Sequence, residues 1–268
     1  MKTTTAFAAL AALIQQVTSQ SIQGGALYSL PSGSSDTINT ISGTFRVPDA
    51  SVPIHGPTSG HKGIYAFGIW VGIGGWQGYG SASGCAAGTG VLRAGIDVYY
   101  DGFSDVPMVP WAWYQYGVSN EAGAFAYAGF NLEAGDLIKI TVNGASNNVT
   151  AIIENYGKVT STQGRQPIQR APPTYGFQGN NVANTLCRTE AGWIVENHMT
   201  ETSPPEPVVL ANFTEVAFGE LDIKTSAGSA TAAQAKLVDI NIPEQGGKLT
   251  ACSAPSGTEV RCRRVLEA

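Results

Sequence analysis

Apolar and polar residues alternate with a period of two along much of the chain. In "LIKITVNG", Ile138, Ile140 and Val142 share one face, and Lys139 and Thr141 the other. That spacing predicts a half-buried strand. Gly144, Ala145, Ser146 and Asn147 then read as a turn, and "NVTAIIENYG" returns as the second strand of a hairpin. "TISGTFRVP" predicts a strand ending at Pro48, followed by a Ser/Pro/Gly/His loop to Lys62. "GIYAFGIWVGIGG" is apolar on both faces and predicts a fully buried strand. "EAGWIVENHM" places Trp193 and Val195 on one face, Ile194 and Glu196 on the other. "VVLANFTEVAFGEL" and "AKLVDINI" complete the strand set, and "SAGSATAAQAKL" reads as a short turn or helix. Residues 163–184 are rich in Pro, Gly, Gln and Asn and predict a long loop, the kind of segment that often carries function. No repeat and no linker divides the chain. The expectation is one all-β domain, a sandwich of two antiparallel sheets.

Composition supports this picture. Gly numbers 33, and charged residues make up only 13% of the chain, as in a β protein with many tight turns. The formal net charge is −5, with no basic run, so nucleic acid is not an expected partner. The first residues, "MKTTTAFAALAALIQQVTSQ", combine Lys2, an apolar run from Ala6 to Ile14 and small residues before Gln20. This predicts a signal peptide over 1–19, a mature domain over 20–268 and a place in the secretory pathway, secreted or vesicular. No later apolar run reaches the length of a membrane span.

Four cysteines in such a chain suggest two disulfides, with three pairings open. Cys252 and Cys262 bracket "SAPSGTEVR", and a hairpin closed by their disulfide is the simplest reading; it leaves Cys85 with Cys187. Asn148 and Asn212 head N-glycosylation sequons.

Familiar catalytic sets are absent. No G-x-S-x-G elbow occurs, and "GIGGWQGYG" does not lead from a strand into a helix as a phosphate cradle would. Of the three histidines only His55 and His61 share a loop, so no metal site and no cofactor are expected. Two features remain. Trp70, Trp76, Tyr99, Tyr100, Trp111, Trp113, Tyr114 and Tyr116 crowd one part of the chain, as sandwich core, as the lining of a ligand groove, or as both. Two charges also sit inside apolar strands: Arg93 in "GVLRAGIDVYY" and Glu196 in "WIVEN". Such an arginine is costly unless paired. Such an acid is either solvated or placed to move a proton.

At these residues the chain resembles a known family. "WVGIGG", "VLRAGID", "AWYQY", "LEAGDLIKITV", "IIENYG", "LCRTEAGWIVEN" and "CSAPSGTEVRC" follow, in order, the pattern of the fungal glutamic peptidases, the eqolisins or scytalidopepsin-like acid proteases. The resemblance runs from Gly24 to Cys262. It implies two curved antiparallel sheets with a groove on one concave face, and disulfides Cys85–Cys187 and Cys252–Cys262.

It also implies a catalytic dyad of one glutamine and one glutamate. The glutamate matches Glu196, but the glutamine position holds Arg93. Three further departures fall at the same groove. Gly74 stands for an acid, Gln115 and Tyr116 stand for an acid and a tryptophan, and Gln23 stands for a tryptophan. Arginine cannot accept a hydrogen bond from an attacking water, so it is a poor substitute for the glutamine amide. It is well suited to gripping a carbonyl, enolate or tropolonate oxygen.

The expectation is therefore an eqolisin-fold protein that is not a peptidase. Its catalytic pair would be Arg93 and Glu196, with Trp70, Gly74, Trp113, Tyr114, Gln115, Tyr116 and Gln23 around a small apolar substrate. By analogy of chemistry rather than of motif, it is similar to the fungal hetero-Diels–Alderases of tropolone sesquiterpenoid pathways, which implies a cofactor-free cyclisation. The alternatives are an acid glutamic endopeptidase acting on a peptide, and a carbohydrate-binding sandwich module.

Overall fold

The computed structural model describes residues 21–53, 63–74, 90–118, 124–145, 148–172, 174–176 and 186–265. The predicted signal peptide, His55, His61, Trp76 and Cys85 lie outside the described residues, as do 177–185 of the predicted long loop.

The strands form two large antiparallel sheets, as their alternation predicts. The first runs, from edge to edge, Lys236–Val238, Gln23–Ser29, Glu190–Glu196, Ile64–Gly74, Gly90–Asp101, Trp111–Val118 and Phe125–Ala126, with Val106–Pro107 added beside Gly90–Asp101. The second runs Gln169–Ala171, Asn148–Asn155, Leu137–Asn143, Ile38–Arg46, Glu215–Thr225, Glu259–Arg264 and Thr250–Ser256. The hairpin read from "LIKITVNG" and "NVTAIIENYG" forms, with Ile140 opposite Ile153 and Val142 opposite Ala151.

The core lies between the sheets. Trp193, Phe45, Phe67, Phe218, Ile69, Val71 and Ile140 are among its buried side chains. Trp193 has no exposed surface, and its Nε1 donates to the Ser42 carbonyl of the facing sheet at 2.9 Å. The second face of the Glu190–Glu196 strand is buried as well. Ile194 joins Trp70, Trp113, Leu27 and Val238 in a smaller cluster on the far side of the first sheet. An all-apolar strand is what a sheet covered on both faces requires.

Several local expectations need correction. "SAGSATAAQAKL" becomes the strand Gly228–Ala230, a single 3-10 turn at Ala232–Gln234 and the strand Lys236–Val238. "VVLANFTEVAFGEL" is regular only from Glu215 onward. Its first half, beside Pro204, Pro205 and Pro207, makes isolated bridges such as Leu210 to Ala66 and Asn212 to Ser51. Prolines lack the N–H that a ladder needs. The predicted long loop also holds two short strands: Gln169–Ala171 and Thr174–Gly176 pair with the free edge of Asn148–Asn155.

Cys252 and Cys262 face each other across the hairpin and form the expected disulfide. Cys187 is also disulfide-bonded, but Cys85, its expected partner, is outside the described residues. The Cys252–Cys262 disulfide is thus the one the structure describes in full. At the sequons, the side chain of Asn148 is not described, whereas Asn212 is half-buried and donates from Nδ2 to Ser51 Oγ at 3.2 Å.

Candidate functional site

Five neighbouring strands of the first sheet each bring one or more side chains to its outer face. Register decides which. Gln23, Glu196, Gly68, Asp97 and Trp111 stand directly opposite one another in turn, as one row across the sheet. Two residues along, Ile194, Trp70, Gly95 and Trp113 form the next row. Gly72, Arg93 and Gln115 form the third. Opposite partners in a ladder share a face, so all three rows look the same way.

Glu196 and Arg93 meet here. Arg93 Nη1 lies 3.0 Å from Glu196 Oε2, with each side chain about one-fifth exposed (20% and 19%). Arg93 Nε donates to Gln115 Oε1. Trp70 Nε1 also donates to Glu196 Oε2, and Gln23 Nε2 donates to Oε1 at 3.2 Å. Glu196 therefore receives three donors, and Arg93 is braced at two points. Nη2 of Arg93 makes no hydrogen bond among the described residues.

The guanidinium also lies 5.0 Å from the Trp70 ring and 5.6 Å from the Trp113 ring, within cation–π reach of both. Glycine makes this possible. A Cβ on Gly95 would fall 2.6 Å from Trp70 Cβ and 2.8 Å from Trp113 Cζ2, so any larger residue would push the two indoles apart.

A second polar group continues the same face. Trp113 Nε1 donates to Asp97 Oδ1 at 2.8 Å, and Tyr99 OH donates to Oδ2 at 3.4 Å. His198 Nε2 sits 3.2 Å from Asp97 Oδ1, an ion-pair distance without the alignment of a hydrogen bond. The His198 ring stacks on Tyr99, with centroids 5.5 Å apart. Burial, with the Asp97 charge and hydrogen bond beside it, pushes the Tyr99 phenol up to about 12, so it stays a donor.

Burial alone would lower the pKa of His198. Its contacts to Asp97, the charge of Glu196 and a hydrogen bond to the Phe67 backbone outweigh that and raise it. A raised value means that His198 stabilises the fold fully below its ordinary pKa of about 6.5 and loses that contribution as pH rises through the folded value. The urea midpoint is expected to fall over that rise, and to fall less in His198→Gln. Equal pH profiles in both proteins would contradict the pairing.

Most of these residues line a cleft of about 480 Å³, with Gln23 and Trp70 held outside its lining. Arg93, Gln115 and Trp113 stand at one end, Glu196, Asp97, Tyr99, Trp111 and His198 along it, and Ile64 and Met199 at the other end.

The sequence-predicted residues do not all reach it. Trp70 has no exposed surface, so it positions Glu196 and Arg93 from beneath instead of touching a ligand. Tyr114 and Tyr116 stand opposite Ala94 and Leu92, which are core residues of the other face. There they pack on the main core and stack on Phe125. The strand's period of two sends Gln115 to the cleft and its neighbours away from it. Gly74 does not line the cleft, and its φ of +142° puts a Cβ 2.7 Å from Val91 Cα. The acid expected there does not fit this backbone. Sequence alone does not single out Asp97 or His198, and it includes Tyr99 and Trp111 only within the aromatic cluster. The available signal was spacing: Asp97 is two pleats from Arg93, and His198 is one from Glu196. No group of three or more His, Cys, Asp or Glu side chains with metal-binding geometry exists among the described residues.

The profile of the Peptidase A4 family matches residues 21–264. Aspergillopepsin-2 of Aspergillus niger is 28% identical over 239 residues, covering 84% of this chain and 72% of that protein. The crystal structure of scytalido-glutamic peptidase with a transition state analog inhibitor superposes with a TM-score of 0.64 at 26% identity, over 91% of this chain and 98% of that one. SCP-B, a member of the eqolisin family of peptidases in a complex with the tripeptide Ala-Ile-His, gives a TM-score of 0.61 at 25% identity, with the same coverage. A sandwich of this topology, with its cleft on the first sheet and a family match over nearly all described residues, identifies the chain as a member of the Peptidase A4 family.

Proposed function

We propose that this protein keeps the family's cleft as a binding site and uses Arg93 there as a fixed donor to an oxygen of a small, largely apolar molecule, instead of hydrolysing peptides. The observation that carries the reading is the Arg93–Glu196 ion pair at 3.0 Å. The family resemblance gives the Arg93 position to the glutamine of a proton-transferring dyad. Arginine offers donors only and does not lose its proton, so it can neither hold an attacking water as an acceptor nor exchange roles during a reaction.

Glu196, held by three donors, then acts as the anchor that aims the guanidinium. Nη2 is the donor left to a ligand, and Trp111 and Trp113 supply apolar walls. Such a donor draws electron density from a carbonyl-conjugated system and makes it a stronger electrophile, and the walls hold reacting ends together. A cofactor-free ring closure of the hetero-Diels–Alder type is the reaction class that fits. The leader over 1–19 would bring the protein to it through the secretory pathway.

A second reading is favoured by the family match and by the peptidases among its relatives. In it the protein is an acid glutamic peptidase, Glu196 moves the proton and the ligand is a peptide. Cleavage of acid-denatured protein between pH 2 and 6 separates the two. The first reading expects no cleavage by the natural protein, and a gain in Arg93→Gln that Glu196→Gln abolishes. Cleavage by the natural protein that disappears in Glu196→Gln would establish the second.

A further inference from the structure

The cleft face does not end at the cleft. Beyond the row of Asp97, the next row across the sheet is Ala66 and Tyr99, and the next is Ile64, Asp101 and Val106. Met108 donates its backbone N–H to the Tyr99 carbonyl, which puts it alongside Tyr99 just past the edge strand Val106–Pro107. One residue, Pro107, separates Val106 from Met108, so the two share one face, and Val106 takes the face of Asp101. Ile64, Val106 and Met108 thus extend the cleft floor.

All three are exposed, at 40%, 47% and 45%, and Met199 at the cleft's end is 39% exposed. Ile64 and Met199 line the cleft itself, so the apolar apron and the polar end belong to one continuous surface. From Arg93 to Asp101 is eight strand steps, a strip of about 27 Å. Along it the chemistry changes in order: a guanidinium, two indoles, a carboxylate–imidazole pair, the Tyr99 phenol, then aliphatic side chains on either side of Asp101. A compact head held at Arg93 would fill only the first part.

We infer that the apron of Ile64, Val106, Met108 and Met199 is the subsite for the hydrocarbon tail of the cleft's own ligand, which is therefore an elongated amphiphile with an oxygen-bearing head. This rests on the reading of Arg93 given above. It also accounts for an exposed aliphatic strip that no other described part of the protein covers, at a place continuous with the binding cleft.

Tropolone and its n-alkyl derivatives of two to eight carbons are suitable probes, with affinity read by tryptophan fluorescence. Each methylene laid on the apron removes apolar surface from water, so affinity is expected to rise about 2- to 4-fold per carbon along part of the series. The triple variant Ile64→Ser/Val106→Ser/Met108→Ser alters only exposed side chains and should flatten that rise, and the double variant Val106→Ser/Met108→Ser, which spares the cleft lining, should flatten its later part while leaving unsubstituted tropolone unchanged. Arg93→Ala should weaken every member equally and keep the slope.

Nile red provides a head-independent readout. Its blue-shifted emission should appear with the natural protein and with Arg93→Ala, and be lost in the triple variant. If tropolone fails to bind but Nile red behaves this way, the Arg93 reading fails and the apron stands. If Nile red is indifferent to the triple variant, or the apron proves to be a self-association surface by sedimentation, the inference is overturned.

Discussion

Arg93→Ala is expected to weaken tropolone binding roughly 10- to 100-fold, the about 1.5–3 kcal/mol of a charge-assisted hydrogen bond. The argument is one of pre-organisation. Gln115 holds Nε, Glu196 holds Nη1, and two indoles bracket the guanidinium, so the remaining donor is aimed before a ligand arrives. An aimed donor costs little ordering on binding. Alanine removes it and also leaves Gln115 and one side of Glu196 without that partner. Trp70 and Gln23 still hold Glu196, so the carboxylate should stay near its place and the fold should survive. Arg93→Lys keeps the charge but lacks the planar fork, and it cannot meet Gln115 and Glu196 together as arginine does. Its affinity should fall between the other two. Titration calorimetry measures all three, and an unchanged affinity in Arg93→Ala would remove Arg93 from ligand binding.

Trp193→Ala should lower stability by about 3–5 kcal/mol, the usual cost of emptying a large core site. Trp193 is fully buried between the sheets, and its indole N–H satisfies the Ser42 carbonyl of the facing sheet. Alanine leaves a cavity and an unpaired buried carbonyl at once. Trp193→Phe separates the two costs, because it fills most of the volume and lacks only the donor. It should lose a smaller amount, about 1–3 kcal/mol for the unpaired group. Urea unfolding measures both. A Trp193→Ala midpoint close to that of the natural protein would mean that the sheets are not held together here. The effect also bears on the site, since Ile194 and Glu196, one and three residues beyond Trp193, belong to the cleft face.

Much of this was legible in the sequence. The hairpin Leu137–Asn143 and Asn148–Asn155 and the split of Trp193 from Glu196 follow from period-two alternation, and the doubly buried strand Ile64–Gly74 follows from its unbroken apolar run. Arg93 and Glu196 could be singled out because a charge inside an apolar strand needs a partner. The aromatic cluster was harder to resolve. Composition gave eight rings near one another, but not which of them face the cleft. Tyr114 and Tyr116 belong to the core side, not to the cleft, because Gln115 between them has the opposite orientation. Trp70 was read as a wall and proves to lie beneath the floor.

Local pattern thus determined the strands, their buried faces and the two charges that require explanation, because those depend on near neighbours in the chain. Only the tertiary structure decided that Gln23, Glu196, Trp70, Arg93 and Gln115 come together. They stand on five strands drawn from distant parts of the sequence, and the order and register of those strands are set by long-range pairing. The same register placed His198 against Asp97 and laid Ile64, Val106 and Met108 in line with the cleft. A shift of one residue in any of these strands would turn its side chains to the other face.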